Sequence, residues 1–498
     1  MKYFKKYKIE IFIFAAILFA YFFSRLYNIM SLPLFTDEAI YVRWSQIARY
    51  DAAWRFISLT DGKQPSFVWI AMNIMRIVDD PLLAGRLVSV FAGFFSVVGI
   101  FFLGKEIFKN RWVGILSSAI YVIFPMALVY DRMALYDSLV GAFAIWGLYF
   151  EILLIRNLRL DIALILGMVT GGAILTKTSG FFNIYLLPFT LLLFDLKAKK
   201  KLNRFAKWVG LVLISVFLAF GFYSVLRLSP FFHIINEKNS VFVYPFQEWI
   251  THPFRFFGGN MNGVWDWLIT YYKWSLFLLI ISSFFISRKY TREKILLVIW
   301  FFLPFVALAL FGKVLYPRFI FFMILSLIPL IAFSFYKINE LIKNKVIFII
   351  IFLAFSTLSI HADYLIITNF AASPIPKSDL TQYINGWPAG GGLKEILGFL
   401  NKQSSNGKIY VATDGTFGSL PTYGVEIYLG ENKNIEKRGI WPIPQDIPKD
   451  LLEKSKKMPV YFIFNQSLVP STWPLKLIAK YQKGISDSYM VLYQVVAQ

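Results

Sequence analysis

The feature that most constrains this chain is a series of apolar stretches, each about as long as a bilayer is thick, separated by short charged connections. A helix needs about 20 apolar residues to cross the hydrocarbon core. Runs of that kind occupy 9–29, 83–104, 112–130, 138–155, 160–177, 181–196, 207–227, 274–287, 295–312, 318–336 and 345–362. They predict a polytopic α-helical membrane protein with about eleven transmembrane helices. At 57% hydrophobic residues over a length of 498, the chain is too apolar for an ordinary soluble protein.

Charge fixes the expected orientation. Alternate connections are rich in Lys and Arg: Lys2, Lys5, Lys6 and Lys8; Lys105, Lys109 and Arg111; Arg156 and Arg159; Lys197 to Lys207; Arg288 to Lys294; Lys337 to Lys345. The positive-inside rule puts these in the cytoplasm, with the N-terminus inside and residues 363–498 outside. The first run is basic and then apolar, like a signal peptide. It continues Ser24-Arg25-Leu26-Tyr27-Asn28 without a small-residue cleavage site, so it reads as a retained span. The net charge of +22 does not indicate nucleic acid, because much of the surplus sits in these connections.

The organisation expected is a membrane domain over 1–362, with long outer loops at 30–82 and 228–273, and an extracytoplasmic α/β domain over 363–498. The first loop contains two amphipathic pieces, 38–49 and 65–78. In the tail, Lys394–Gln403 and Asp450–Lys456 read as helices. Lys408–Thr413, Val460–Phe464 and Ser488–Val496 read as strands. Gly390-Gly391-Gly392 reads as a turn, since no strand clearly precedes it. With no cysteine and three scattered histidines, the chain has no thiolate metal site and no His-based zinc site. A divalent cation at the outer carboxylates stays open, as basic groups can take its place.

Four clusters at the outer membrane face can carry chemistry. Thr36-Asp37-Glu38 follows the first span: a helix cap with acids in its first turn accounts for it, and so does a general base at a cavity mouth. Asp131, Arg132 and Asp137 stand together at a membrane boundary, where charges are costly unless paired or exposed. Arg132 and Asp137 pair there, or each meets a ligand. Lys63-Gln64-Pro65, Lys177 and Tyr316-Pro317-Arg318 supply outer cations, either as lipid-facing anchors or as phosphate binders. Gly167-x-x-x-Gly171 reads as helix packing.

Taken in order, these residues make the chain resemble the membrane-embedded glycosyltransferases of the GT-C class. It is most similar to bacterial relatives of the dolichyl-phosphate-mannose protein mannosyltransferases and of the lipid A aminoarabinose transferase. The likeness covers roughly 10–340 and rests on Asp37-Glu38, Lys63-x-Pro65, Gly85-Arg86-Leu87, Arg132-x-x-x-x-Asp137, Thr176-Lys177 and Tyr316-Pro317-Arg318. Ile40-Tyr41 stands where the eukaryotic enzymes place a histidine after the acidic pair. The resemblance implies a GT-C-like fold and transfer of a sugar from a polyprenyl-phosphate donor to a protein, lipid or glycan acceptor, with inversion. It implies Asp37 as base with Glu38 and Asp137 in the catalytic set. It also implies Lys63, Asp131, Arg132, Lys177, Tyr316 and Arg318 around the substrates. A lipid-linked sugar flippase or transporter is the rival reading, but it would be expected to show inverted repeats and interrupted helices at mid-membrane, whereas the charges here lie at one face and no repeat is clear.

Overall fold

The computed structural model describes residues 7–415 and 418–496. The basic residues Lys2, Lys5 and Lys6 lie outside them. Among the described residues, eight helices are long and apolar enough to cross a membrane. They are α1 (Lys8–Leu26), α4 (Pro81–Phe108), α6 (Asp137–Asn157), α8 (Lys201–Leu228), α9 (Phe257–Ile286), α10 (Thr291–Phe311), α11 (Pro317–Ile342) and α12 (Lys345–Thr368). The other three apolar runs are also helical but shorter or broken. These are α5 (Arg111–Val122) with the turn Pro125–Tyr130, α7 (Leu160–Thr176), and a stretch Thr178–Leu193 that alternates tight and regular turns. The multi-pass helical fold is therefore as the sequence predicts, with eight rather than about eleven helices of full spanning length.

Local chemistry sets the helix ends. Asn110 accepts from the Trp112 amide and Asp80 from the Leu83 amide, so both cap first turns. Inside the bundle, small residues allow close approach. A Cβ on Gly167 would lie 2.8 Å from the Ser215 carbonyl oxygen, and one on Gly171 would lie 2.8 Å from Phe222, which explains the small-residue pair on α7 against α8. Helix α9 begins at Phe257, well before the apolar run at 274. It is interrupted at Lys273 (φ 58°), whose Nζ donates to the Pro374 carbonyl at 2.7 Å.

The loop after α1 folds into helix α2 (Thr36–Tyr50) and helix α3 (Ser66–Ile74), where the amphipathic pattern placed them. The loop after α8 contains two short helices, Ile234–Phe242 and Phe246–Thr251, which sequence reading left as loop. The tail forms a five-stranded sheet in the order β2-β1-β3-β5-β4. Strands β1 (Ile409–Asp414), β2 (Ile435–Ile440) and β3 (Val460–Phe464) are parallel; β4 (Leu475–Gln482) and β5 (Tyr489–Val495) add antiparallel. Helices α13 (Leu393–Ser404), α14 (Thr422–Leu429) and α15 (Lys449–Ser455) complete a small α/β unit. Gly392, at φ +86°, opens α13 where a Cβ would fall 2.4 Å from that of Tyr481, so the glycine run is a turn against β4.

The sheet region and the membrane bundle meet at α2. Phe35 pairs with Ala389 as an antiparallel bridge. The Thr36 amide donates to the Pro388 carbonyl at 2.9 Å, and the Gly390 amide donates to Leu34 at 2.8 Å. Two turns further on, Arg43 pairs with Glu426 at 2.9 Å, and Gln46 donates to the Ile427 carbonyl at 3.1 Å.

Candidate active site

The first turn of α2 presents Asp37 and Glu38, about 100° apart around the helix axis. They meet opposite surroundings. Glu38 is fully buried. Its carboxylate accepts from Arg86 Nε and Nη2, both at 2.9 Å, from the Ala134 amide at 2.7 Å and from the Phe35 amide at 3.1 Å. Arg86, also fully buried, donates its remaining hydrogens to the carbonyls of Ile29 and Leu32. The pair ties the loop after α1, the start of α2 and helix α4 into one knot.

Asp37 turns the other way. Arg318 Nη2, from the first turn of α11, lies 2.7 Å from Asp37 Oδ2. Burial pushes the Asp37 carboxyl up, but the charges of Arg318 and then Lys63, together with the Arg318 hydrogen bond, hold it below the usual carboxylate range. Arg318 is held over the rings of Tyr316 (5.0 Å) and Phe35 (5.6 Å), which fixes its guanidinium plane.

Arg318 lines a cavity of about 490 Å³. Tyr41, Lys63, Gln64, Asp137 and Lys177 line it as well. Lys63 Nζ donates to the Tyr41 hydroxyl at 2.8 Å, Lys177 Nζ sits 2.8 Å from Asp137 Oδ1, and Gln64 donates to Thr178 at 2.9 Å. Aromatic and aliphatic side chains line the rest, among them Phe181, Phe182, Leu308, Phe311 and Phe322. The cavity is therefore amphiphilic: three cations and the Asp137 carboxylate share its lining with apolar side chains. The strap 242–244, whose Phe242 carbonyl and Tyr244 amide bond to Lys313 and Phe311, crosses its rim.

Asp37 is not itself a lining residue and meets the cavity through Arg318, and four further sequence candidates, Glu38, Asp131, Arg132 and Tyr316, do not line it. Glu38 is in the knot with Arg86. Asp131 is buried between Arg25 (3.4 Å), the Tyr121 hydroxyl (3.2 Å) and the Ser138 hydroxyl (2.9 Å). Arg132 donates to the carbonyls of Ser24, Tyr27 and Asn28 at 2.7 to 2.9 Å and so caps the open C-terminal end of α1. The expected Arg132–Asp137 alternative is not formed, because Asp137 is taken by Lys177 and Arg132 by those carbonyls. Tyr316 supports Arg318 rather than lining the cavity. Sequence reasoning missed Tyr41 and Gln64. Tyr41 stands four residues after Asp37, one helical turn away on the same face, and that spacing was the available signal. Among the described residues, no group of three or more His, Cys, Asp or Glu is placed to hold a metal ion.

Residues 62–223 match the family of dolichyl-phosphate-mannose-protein mannosyltransferases. No curated protein matches the chain. Among solved structures, ArnT from Cupriavidus metallidurans bound to undecaprenyl phosphate aligns with a TM-score of 0.58 at 14% identity, covering 99% of both chains. The same protein in the apo state gives 0.54 at 14% identity, over 98% of each. The oligosaccharyltransferase AglB from Archaeoglobus fulgidus, in complex with an inhibitory peptide and a dolichol-phosphate, gives 0.51 at 12% identity, over 93% of this chain and 70% of that one. The chain therefore shares its fold with ArnT and AglB, and within it residues 62–223 resemble the dolichyl-phosphate-mannose-protein mannosyltransferases.

Proposed function

We propose that the chain transfers a sugar from a polyprenyl-phosphate carrier to an acceptor hydroxyl at the outer membrane face, with inversion. The observation that carries this reading is a cavity whose lining joins Lys63, Asp137, Lys177 and Arg318 to a set of aromatic and aliphatic side chains. A phosphate ester on a polyprenyl chain likewise joins a charged group to an apolar body. ArnT and AglB, which share the fold, were solved with undecaprenyl phosphate and a dolichol-phosphate.

In this reading Lys63, Lys177 and Arg318 hold the phosphate, where charge grows as the bond to the anomeric carbon breaks. The acceptor oxygen attacks that carbon from the opposite side, its proton passes to Asp37, and the polyprenyl phosphate leaves with the bonding electrons. Asp137 orients Lys177, and Tyr41 orients Lys63. The three cations supply the neutralisation that a divalent cation would otherwise give, since Asp37 and Asp137 are each paired with one of them. Residues 1–362 form the transferase domain, and 363–498 form an outer domain that shapes the acceptor side. The acceptor, whether protein, lipid or glycan, approaches between that domain and α2.

Two measurements test this reading. Purified protein supplied with synthetic undecaprenyl- and dolichyl-phosphate sugars should release polyprenyl phosphate, and nucleotide sugars should not substitute. Lys63→Ala should raise donor KM by roughly 10- to 100-fold, the loss expected for one charge-assisted contact. An unchanged KM in a folded Lys63→Ala protein would leave that lysine as a rim anchor. The orientation is tested by labelling single cysteines placed in this cysteine-free chain. Lys200→Cys should be shielded from an impermeant reagent in intact cells, and Lys476→Cys should be labelled; the reverse pattern would invert the topology.

A further inference from the structure

The cavity carries a strip of neutral polar side chains that the proposed reaction leaves unused. Gln64 follows Lys63 and Thr178 follows Lys177, so each stands one residue from a cation assigned to the phosphate. Gln64 Nε2 donates to the Thr178 hydroxyl at 2.9 Å, and that hydroxyl donates to Asn239 Oδ1 at 3.2 Å. All three residues line the cavity. Among the described residues, Gln64 Oε1 and Asn239 Nδ2 make no hydrogen bond. The strip thus offers one acceptor and one donor at its two ends, the complement of a hydroxyl group, which both donates and accepts.

The strip is held in place. Asn239 belongs to the short helix Ile234–Phe242. Its neighbour Lys238 reaches Asp61 Oδ1 at 2.5 Å, and the turn at Gly62 (φ +65°) packs so closely that a Cβ there would fall 2.5 Å from that of Lys238. The carboxylates around it are already engaged: Asp61 by Lys238, Asp137 by Lys177 at 2.8 Å, and Asp37 by Arg318 at 2.7 Å. Among the described residues that line the cavity, Asp137 is the sole acid, facing Lys63, Lys177 and Arg318.

We propose that Gln64, Thr178 and Asn239 form the subsite for the donor sugar, and that it takes a neutral polyhydroxy sugar and rejects a cationic amino sugar. The inference rests on the reading of Lys63, Lys177 and Arg318 as the phosphate site. The sugar is bonded directly to that phosphate, so the side chains next to those cations are the ones it meets. An ammonium in place of a hydroxyl would find three cations near it and no uncommitted carboxylate.

The test is equilibrium binding of radiolabelled probes to the purified full chain. The probes are undecaprenyl phosphate without sugar, its mannose, glucose and arabinose esters, and their 4-amino-4-deoxy counterparts. Each neutral donor should bind at least about tenfold tighter than its amino counterpart. Asn239 is half-buried, and Asn239→Ala should raise Kd for the neutral donors about 5- to 10-fold, the loss of one hydrogen bond, while Kd for undecaprenyl phosphate stays unchanged. Lys63→Ala should weaken both. Asn239→Asp keeps the acceptor for Thr178 and adds a carboxylate, so it should narrow the gap between amino and neutral donors by about tenfold. Equal losses for undecaprenyl phosphate and its sugar esters in Asn239→Ala, or no loss, overturn the subsite. Tighter binding of the amino donors to wild type overturns the neutral class. Either result leaves the phosphate reading standing; failure of undecaprenyl phosphate itself to bind overturns that reading and the subsite with it.

Discussion

Asp37→Asn should lower kcat by about 10²- to 10⁴-fold, the usual worth of a general base, while donor binding changes little. Asparagine keeps the shape and can still accept from Arg318, but it cannot take a proton. The substitution also leaves the Arg318 guanidinium, 8% exposed, without its carboxylate partner, so some stability should be lost as well. The two effects separate with pH. The folded-state acidity of Asp37 is strengthened, so its pairing stabilises the protein above the ordinary carboxylate range and is lost only as pH falls through its lowered value. Wild type and variant should therefore differ in thermal stability at neutral pH and converge in strong acid, whereas the kinetic gap persists wherever both fold. A folded Asp37→Asn protein with wild-type kcat would move the base to Asp137, the carboxylate that lines the cavity itself.

Breaking the Glu38–Arg86 pair should have the largest effect on stability. Both side chains are fully buried, and removing one strands the other in a dry site, which typically costs about 3–5 kcal/mol. Arg86→Ala and Glu38→Gln should each express poorly and melt early in detergent. Arg86→Ala should be worse, because it also orphans the carbonyls of Ile29 and Leu32. The double substitution Glu38→Leu/Arg86→Met should recover part of the loss, because no unpaired charge remains. A Glu38→Gln protein as stable as wild type, with a raised acceptor KM, would instead put Glu38 in contact with the acceptor.

Much of this architecture was legible because lipid imposes a strong pattern. Runs of apolar residues and the Lys/Arg bias between them are signals that few soluble folds produce. The runs at 112–130 and 181–196 read as full spans because composition does not reveal a break, and 160–177 is a continuous helix that is merely short. Phe124-Pro125 splits 112–130, and Pro188 lies within the tight turns of 181–196. The missed strands β2 and β4 are both edges of the sheet, where Glu436, Lys437, Arg438, Lys476 and Lys480 mask the strand pattern. At the site, charged residues near one membrane face could be gathered by type, and Asp37, Lys63, Asp137, Lys177 and Arg318 do converge. What sequence could not give was partner choice. Arg132 and Lys177 are equivalent as cations outside a span. Only packing shows that one caps the carbonyls ending α1 while the other meets Asp137.

The bridge between Phe35 and Ala389 bears on how such chains can be recombined. The backbone that carries Asp37 is hydrogen-bonded on one side to the tail, and Arg43 and Gln46 extend the same seam to α14. A natural graft point at the end of α12 would cut that seam even though it leaves every cavity-lining residue in place. A chimera that takes its outer domain from a relative should therefore transfer sugar only if residues 34–46 come from the same parent as that domain. In inheritance, helix α2 would belong with the tail rather than with the spans that flank it.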